Sequence, residues 1–376
     1  MDFAFSEEQE EFRQTLRRFF EAVSPFSEVQ RLMEAPEPFD RGVWKQMGEE
    51  LGLQGVHIPE KYGGQGFGFL ELGIVFEEMG RTMFCSPYFS SIALAANAIL
   101  NAGSEADCQR WLPELASGET IGTLALLDDG DHWDAASVSL EAARDRDAWV
   151  LSGRKRLVTA GPAARLVVVA ARLPGTRGED GIGLFVVRSD AAGYEATPLE
   201  AIDPTRPLAD IEFDGVRAAP LGEPGSAGAA LERTLDQGRV CLAIEAAGGA
   251  ARCLECAVAY AKQRIQFGRP IGSFQAVKHT CAVDLLEVES AKSVAYWACW
   301  VAENSADELA EAASVAKSVC DDAYARTSDD NVHLHGGIGV TWEASPHLFF
   351  KRAKADQILL GDPRWQRARI ASQQGF

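Results

Sequence analysis

The sequence has 376 residues, 47% of them hydrophobic, which is typical of a globular protein with two or three domains. Its 55 acidic residues outnumber the 36 basic ones, and the resulting formal charge of −19 repels nucleic acids and anionic membranes at long range. No apolar run approaches the roughly 20 residues of a membrane-spanning helix. Because the acidic start of the chain also lacks the basic segment of a signal peptide, we expect a cytoplasmic protein with no membrane span and no nucleic acid partner.

Eight cysteines raise the question of a metal or disulfide site. One C-x-x-C pair, Cys253 and Cys256, lies inside an alanine-rich helical run and has no second pair of ligands. Small buried thiols in a reducing compartment explain this pattern, so we predict no metal.

The first part of the chain, from Ser6 to about Gly118, has a helical pattern. Ser6 and Gln9 form a capping-box signature, and apolar residues then recur at spacings of three and four. The glycine-rich stretch KYGGQGFGF, residues 61–69, lacks the basic residue of a phosphate-binding loop and is interpreted as a connector.

The pattern changes near Thr120. Short runs rich in Val, Ile and Leu, at 123–127, 149–151, 166–170 and 182–187, are separated by Gly, Pro or Asp clusters and predict a compact β-domain. The absence of βα alternation and of a G-x-G-x-x-G motif argues against a Rossmann domain. The sequence GEPGSAG, residues 222–228, is a natural linker.

Long helices are predicted after this linker. The first covers 231–262, the second carries apolar residues at spacings of three and four from Phe274 to Val288, and the third covers about 307–335. A final helix is expected to begin at Ser345 and Pro346 and to end at Gly361. Long helices joined by short turns indicate a bundle.

Two segments in this last part carry the chemistry: RIQFGRPIGSFQAVKH, residues 264–279, and HLHGGIGVTW, residues 333–342. In the first, glycines and a proline force a turn before a helix whose predicted N-cap is Ser273. Arg264 can make paired hydrogen bonds to a diphosphate, a helix N-terminus adds N–H donors, and Phe267 can lie against a ring. In the second, the missing side chains of Gly336 and Gly337 would let the backbone approach a ligand.

Together these segments resemble the R-x-x-F-G-x-x-I…Q and GG-x-G segments of the acyl-CoA dehydrogenase family of flavoproteins. The opening MDFAFSEEQEEFRQTLRRFFE and the later LGLQGVHIPEKYGGQGFGFLELGIVFEEMGR and LPELASGE are similar to the helical domain of that family. The resemblance covers almost the whole chain and implies an α+β, mainly α fold. Its expected parts are an N-terminal helical domain (1–118), a middle β-barrel or sandwich domain (119–225) and a C-terminal four-helix bundle (226–376).

The family oxidises an acyl-CoA between its α and β carbons with a carboxylate base and FAD. The resemblance implies FAD contacts for Arg264, Gln266, Phe267, Gln275, His333, Gly336 and Gly337, which in the family reach the FAD of a partner subunit. It also implies a flavin contact for Thr159, in a segment where Leu157 replaces the family's Trp. Substrate contacts are implied for Arg239 and Asp236.

The usual catalytic glutamate is missing. Anchoring on Gly361 puts Leu360 at its position, and the alternative position of a smaller branch, one residue before Arg239, is Gly238. Asp362 and Glu245 are weak replacements, since Asp362 is more naturally a turn residue and Glu245 lies about 10 Å along the helix from Gly238. Three aspartates in the run 128–131 would also place negative charge beside a reduced flavin.

These features suggest the non-catalytic partner subunit of a heteromeric, α2β2 acyl-CoA dehydrogenase, with FAD at the subunit interface. The expected partners are acyl-CoA, a second acyl-CoA dehydrogenase subunit and an electron-transfer flavoprotein, in lipid or sterol side-chain catabolism. One alternative is a self-sufficient homotetrameric dehydrogenase with an unusual base. Another is a flavoenzyme of the same fold that is not a dehydrogenase.

Overall fold

The computed structural model describes residues 5–130 and 132–376. Helices come first: α1 (Glu7–Val23), α2 (Phe26–Met33), α3 (Arg41–Glu49), α4 (Phe69–Thr82), α5 (Asn97–Ala102) and α6 (Glu105–Ala116). A π-helical stretch, Phe89–Ala96, leads directly into α5. The predicted capping box is confirmed, because the Ser6 hydroxyl accepts from the Gln9 backbone N–H while the Gln9 side chain accepts from the Ser6 backbone N–H.

The middle of the chain forms one sheet. Its strands are β1 (Gly122–Ala125), β2 (Ala142–Asp145), β3 (Ala148–Thr159), β4 (Leu166–Arg172), β5 (Ile182–Arg188), β6 (Tyr194–Leu199) and β7 (Leu208–Leu221). They are ordered β1-β4-β5-β7-β3-β2, with β6 also paired to β7, and only the β1–β4 pair is parallel among the described strands. Val167 and Val169 of β4, Phe185 of β5 and Ile211 of β7 belong to one buried core. The alternation of buried and exposed residues along β6 and β7 is typical of antiparallel strands with one solvated face.

The last part is helical again. It contains α7 (Gly228–Gln263), the hairpin of β8 (Ile265–Gln266) and β9 (Arg269–Pro270), α8 (Gln275–Asn304), α9 (Leu309–His335), α10 (Pro346–Asp356) and α11 (Pro363–Gln373). Within residues 5–130 and 132–376, no helix combines the length and apolar character needed to cross a lipid bilayer.

The prediction of one final helix ending at Gly361 is wrong. Helix α10 ends at Asp356, and α11 follows after a turn in which Leu360 and Gly361 have φ of 60° and 99°. Those left-handed values cannot continue a right-handed helix. Pro363 then starts α11 at a position where its missing N–H costs nothing.

Packing divides the chain into two compact units. One contains residues 5–33, 69–84 and 239–376, so that α1, α2 and α4 share a unit with the C-terminal helices, and the other contains residues 34–68 and 85–238. The domain limits 1–118, 119–225 and 226–376 follow changes of secondary structure and stay predictions.

Glycines bring helices of the first unit close together. A Cβ on Gly80 of α4 would lie 2.0 Å from the Glu245 carbonyl oxygen of α7, and a Cβ on Gly248 of α7 would lie 2.1 Å from the Glu77 carbonyl oxygen of α4. Only glycine therefore permits this crossing of α4 and α7.

Candidate active site and flavin corner

The segment after α7 forms a tight hairpin at one end of the bundle. Phe267 and Gly268, which join β8 to β9, have φ of 53° and 77°. Positive φ at both central residues is the geometry of a type I′ turn, and it is unusual for a bulky residue such as Phe267. The turn presents the Phe267 side chain to solvent, with 89% of it exposed.

Helix α9 ends beside this hairpin. The ring of His335, its last residue, stacks on Tyr260 of α7 with centroids 4.1 Å apart, and the Arg264 N–H donates to the Tyr260 carbonyl. Burial lowers the pKa of His335, which keeps its imidazole neutral for this stack. The ends of α7 and α9 therefore meet. Arg264 is the first residue after α7, and Gly336 is the first residue after α9.

We call this end of the bundle the flavin corner. It contains the C-terminal residues predicted to contact FAD, and all of them are exposed: Arg264, Gln266, Phe267, Gln275, His333, Gly336 and Gly337. A Cβ added to Gly268, Gly336 or Gly337 would meet no atom within 4 Å among the described residues. The glycines thus leave open space on the surface.

The charge and donors of the flavin corner suit an anion. Arg264 and Arg269 both lie on the exposed hairpin, and the Arg269 guanidinium lies 4.1 Å from the centre of the Phe274 ring. Helix α8 begins beside them, and its N-cap residue, Phe274, has no side-chain cap. The first N–H groups of α8 therefore stay available, together with the positive end of a 30-residue helix.

The prediction that Ser273 caps α8 is wrong. Ser273 lies in a short 3₁₀ turn, Ile271–Ser273, that closes when the Phe274 N–H donates to the Ile271 carbonyl. This extra turn moves the start of the helix to Gln275. Sequence reasoning missed it because serine before a helix is usually the cap.

The Leu360 turn, where the family has its glutamate, is closed. Leu360 is only 2% exposed, and its carbonyl oxygen accepts from Arg239 Nε and from Gln366 Nε2, both at 3.0 Å. Arg239 is fully buried, and its guanidinium carbon lies 4.9 Å from the centre of the Trp365 ring. Arg239 therefore braces the backbone of the turn.

Both candidate bases already have structural partners. Asp362 is the N-cap of α11, and its carboxylate accepts from the Trp365 N–H at 2.6 Å. Glu245 of α7 is 5% exposed and forms an ion pair with buried Arg352 of α10, with 2.5 Å between its Oε1 and the Arg352 Nη1. Sequence reasoning missed Arg352 as the partner of Glu245, because the two lie on helices 107 residues apart.

Gly238 and Asp236 lie in α7, in the turn before Arg239, and Asp236 is 3% exposed. The substrate contacts of Asp236 and Arg239 stay predictions. Gly238 has no side chain and therefore cannot act as a base.

The β-domain keeps one group of interest at the end of β3. The Thr159 hydroxyl is buried and has no hydrogen-bond partner among the described residues, although the Thr159 carbonyl accepts from the Thr123 hydroxyl at 2.7 Å. Leu157 and Ala160, on either side, have φ of 52° and 50°. Strained backbone around an unsatisfied hydroxyl is common at functional sites.

The aspartate run is less negative than the sequence suggests. Asp128 lies 2.8 Å from the buried Lys155 ammonium, and Asp129 lies 2.6 Å from Arg154. Burial lowers the pKa of Lys155 to about 8, and the Arg154 guanidinium lowers the pKa of Asp129. Asp131, the third aspartate of the run, lies outside the described residues.

The described residues contain no group of three or more His, Cys, Asp and Glu side chains that could hold a metal ion. All eight cysteines are free thiols, and six of them are buried or nearly so: Cys85, Cys108, Cys241, Cys253, Cys299 and Cys320.

Comparison with known proteins decides the family. Models of the N-terminal, middle and C-terminal domains of acyl-CoA dehydrogenases match residues 6–119, 123–216 and 228–375. The chain belongs to the acyl-CoA dehydrogenase family. It is an oxidoreductase of that family with the family's fold of N-terminal helical, middle β and C-terminal helical domains, and members of the family are FAD flavoproteins.

Three similar proteins illustrate the relationship. The acyl-CoA dehydrogenase IpdE2 of Mycobacterium tuberculosis is 32% identical over 98% of this chain and 97% of that protein. A chain in the structure of a variant of the steroid ACAD Tcur3481-Tcur3483 is 32% identical, with a TM-score of 0.88 and 97% of both chains covered. A chain in the ChsE4-ChsE5 complex from Mycobacterium tuberculosis is 26% identical, with a TM-score of 0.89, and the match covers 100% of this chain and 99% of that one.

The flavin corner fits the FAD of this family. Its open glycine surface, exposed Arg264 and uncapped α8 N-terminus offer close backbone approach and cationic donors, which a diphosphate needs. The exposed Phe267 ring offers a flat face to an aromatic ring system.

Proposed function

We propose that this chain is the partner subunit of a heteromeric acyl-CoA dehydrogenase and completes an FAD site seated mainly in a catalytic subunit. The observation that carries the proposal is the Leu360 turn. It has an aliphatic side chain at the base position, and its carbonyl is held by Arg239 and Gln366. With leucine at this position and glycine at position 238, the chain lacks a carboxylate at both places where the family carries the base that takes the α-proton of an acyl-CoA.

The other carboxylates near the usual positions support the same conclusion. A base must be free to accept a proton from substrate, but Asp362 caps a helix and Glu245 neutralises a buried arginine. Removing either from its partner would leave an unsatisfied N–H or a buried charge.

The flavin corner supplies the positive part of the proposal. Arg264 and the N–H groups of α8 would hold the diphosphate, and Phe267 would lie against a ring of the cofactor. Bound FAD would accept hydride from the β-carbon of the acyl-CoA. Because the corner is exposed on this chain, it is suited to FAD presented by another subunit.

The proposed partner is an acyl-CoA dehydrogenase subunit that carries its own glutamate, with acyl-CoA as substrate and an electron-transfer flavoprotein as electron acceptor. Similarity to a steroid ACAD supports a sterol-derived acyl group, and similarity to a chain of the ChsE4-ChsE5 complex supports a two-subunit enzyme. We place the complex in the cytoplasm, since eight free thiols suit a reducing compartment.

Co-expression tests this function. The chain purified alone is expected to carry little flavin, and co-expression with a dehydrogenase encoded beside it is expected to give a yellow complex that reduces its flavin on addition of acyl-CoA. The flavin absorbance per chain is the measurement. Full FAD occupancy in the chain purified alone would overturn the proposal.

Thr159 favours a second candidate, a self-sufficient homotetramer. Its unsatisfied hydroxyl between strained residues is a feature that a flavin bound in the same subunit would explain. That enzyme would bind FAD alone, and Thr159→Val would lower its flavin content. In the partner-subunit complex, the same change would leave flavin content close to that of the wild type.

A further inference from the structure

Asp284 of α8 is a buried carboxyl without a hydrogen-bonded cation. It is 1% exposed, and neither carboxyl oxygen accepts a hydrogen bond from an N–H donor among the described residues. An ionised carboxyl in this environment is unfavourable, because it has lost its hydration and has no hydrogen bond to replace it.

The Asp330 carboxyl of α9 lies within hydrogen-bonding reach of Asp284. Arg326 is the cation facing them, but its Nε is 3.9 Å from Asp284 Oδ1 and 3.8 Å from Asp330 Oδ2, and its side chain is 51% exposed. The same guanidinium also serves Glu287 at 3.8 Å. One half-exposed cation cannot neutralise three carboxylates, so the cluster favours holding a proton.

The neighbouring groups on the three helices do not add positive charge. Burial, with a smaller contribution from the nearby Asp284 charge, raises the pKa values of Cys253 of α7 and Cys281 of α8, so both remain neutral thiols. Asn331 of α9 is fully buried, and its side chain interacts with the Cys253 thiol. The charged and titratable groups around Asp284 are thus two thiols, the Asp330 and Glu287 carboxyls and Arg326.

The cluster lies one turn below the flavin corner. The Asn331 carbonyl accepts from His335 Nδ1 at 2.8 Å, and the His335 ring stacks on Tyr260 beside Arg264. Asp330 and Asn331 therefore lie in the last two turns of α9, close to Gly336.

We propose that protonated Asp284 hydrogen-bonds to the Asp330 carboxyl and forms a proton-dependent clasp between α8 and α9 near the flavin corner. The Asp284 hydroxyl donates to the Asp330 carboxylate when the proton is present. When the proton is lost, the buried Asp284 carboxylate faces the partly exposed Asp330 carboxylate across the helix interface, and their repulsion weakens the packing of α8 on α9. The clasp depends only on this chain and not on which subunit supplies FAD.

The direction of the pH effect follows from the carboxyl pair. Burial and the Asp330 charge raise the pKa of Asp284 from 3.8 to about 7. The folded chain therefore holds a proton that the unfolded chain has already lost between these values, and the stability contributed by the clasp is lost as pH rises through about 7. One such proton makes the folding equilibrium constant fall up to about tenfold per pH unit.

Urea denaturation of the full chain between pH 5 and pH 8 tests the clasp. Asp284→Asn, which cannot ionise, is expected to lose one proton's worth of pH dependence relative to the wild type, up to about tenfold per pH unit in the folding constant. The matched control is Asp329→Asn, the same charge change at an exposed position of α9, and it is expected to keep the wild-type slope. Asp321, whose pKa burial also raises to about 7, contributes equally to all three proteins.

Asp330→Asn is a second variant that tests the clasp if Asp284→Asn does not fold. Without the Asp330 charge, Asp284 is expected to titrate at lower pH, so the fall in stability moves to lower pH while the slope remains.

Hydrogen exchange of the amides at 281–287 and 326–331 should also quicken between pH 6 and pH 8, after correction for intrinsic rates, in the wild type but not in Asp284→Asn. A wild-type slope in Asp284→Asn would overturn the proposal, as would unchanged exchange in the wild type.

Discussion

The flavin corner and the Leu360 turn belong to the same compact unit, yet they are built in opposite ways. At the flavin corner, Phe267 is 89% exposed and the glycine surface is open. At the Leu360 turn, Leu360 is 2% exposed and its carbonyl already accepts two hydrogen bonds from side chains. The flavin corner thus presents exposed groups that can bind a ligand, whereas the polar backbone group of the Leu360 turn is already satisfied within the protein.

This difference separates cofactor binding from proton abstraction. A catalytic acyl-CoA dehydrogenase needs both, with a free carboxylate close to the flavin. Here arginine, aromatic and glycine groups remain presented to solvent, while Asp362 and Glu245 stabilise the fold. Substitutions in the two regions should therefore have different effects: lost stability at the turn and lost flavin at the corner.

The largest effect is expected for Glu245→Gln. It removes the negative charge that pairs with the buried Arg352 guanidinium, and breaking such a buried pair costs about 3–5 kcal/mol of unfolding free energy. Chemical denaturation measures this loss. The control is Asp322→Asn, which breaks the exposed pair with Arg367 and should cost no more than about 1 kcal/mol.

Glu245→Gln also distinguishes the two proposed functions. If Glu245 were a catalytic base, the variant would keep its stability and lose the acyl-CoA-dependent reduction of flavin. Stability within about 0.5 kcal/mol of the wild type, together with loss of reduction, would overturn the structural role of Glu245.

The second prediction concerns Arg264→Met. Because Arg264 is exposed, the folding stability should change by no more than about 0.5 kcal/mol. FAD binding by the complex with the catalytic subunit should weaken by about tenfold to 100-fold, the cost of losing a hydrogen bond to a charged group. Flavin retention during dilution measures the change, and Arg217→Met, at an exposed position of β7, is the control. Equal flavin retention in both variants would mean that Arg264 does not contact FAD.

The sequence predicted much of this architecture because periodic and local signals are strong. The capping box at Ser6, the long helices α7 to α9 and the strands β1, β3, β4 and β5 all follow from spacing or composition. Strands β2, β6 and β7 were missed. Strands β2 and β6 are short and contain few apolar residues, so the pairing with neighbouring strands specifies them more than local composition does. In β7, apolar and charged residues do alternate from Ala209 to Asp214, which is a local strand signal.

The site was predicted less completely, since its decisive contacts join distant residues. The absence of a glutamate at Leu360 is visible in the sequence, but the bonds from Arg239 and Gln366 that close the turn are not. The ion pair of Glu245 with Arg352 was missed for the same reason, since the two residues are 107 positions apart. A local signal for α11 did exist in Asp362 followed by Pro363, which is the pattern of an N-cap and a first helical position.

The smallest effect is expected for Asp362, and it tests the Leu360 turn most directly. Asp362→Ala removes the side chain that accepts from the Trp365 N–H and should cost about 1 kcal/mol of unfolding free energy, whereas Asp362→Asn keeps an N-cap acceptor and should be close to neutral. If Asp362 were a catalytic base, Asp362→Asn would abolish flavin reduction although the fold stays intact, because the amide cannot take a proton. Thermal unfolding of both variants, measured beside flavin reduction by acyl-CoA in the complex, separates these outcomes. Unchanged reduction in Asp362→Asn would leave the Leu360 turn without a proton acceptor of its own and would assign proton abstraction to the partner subunit.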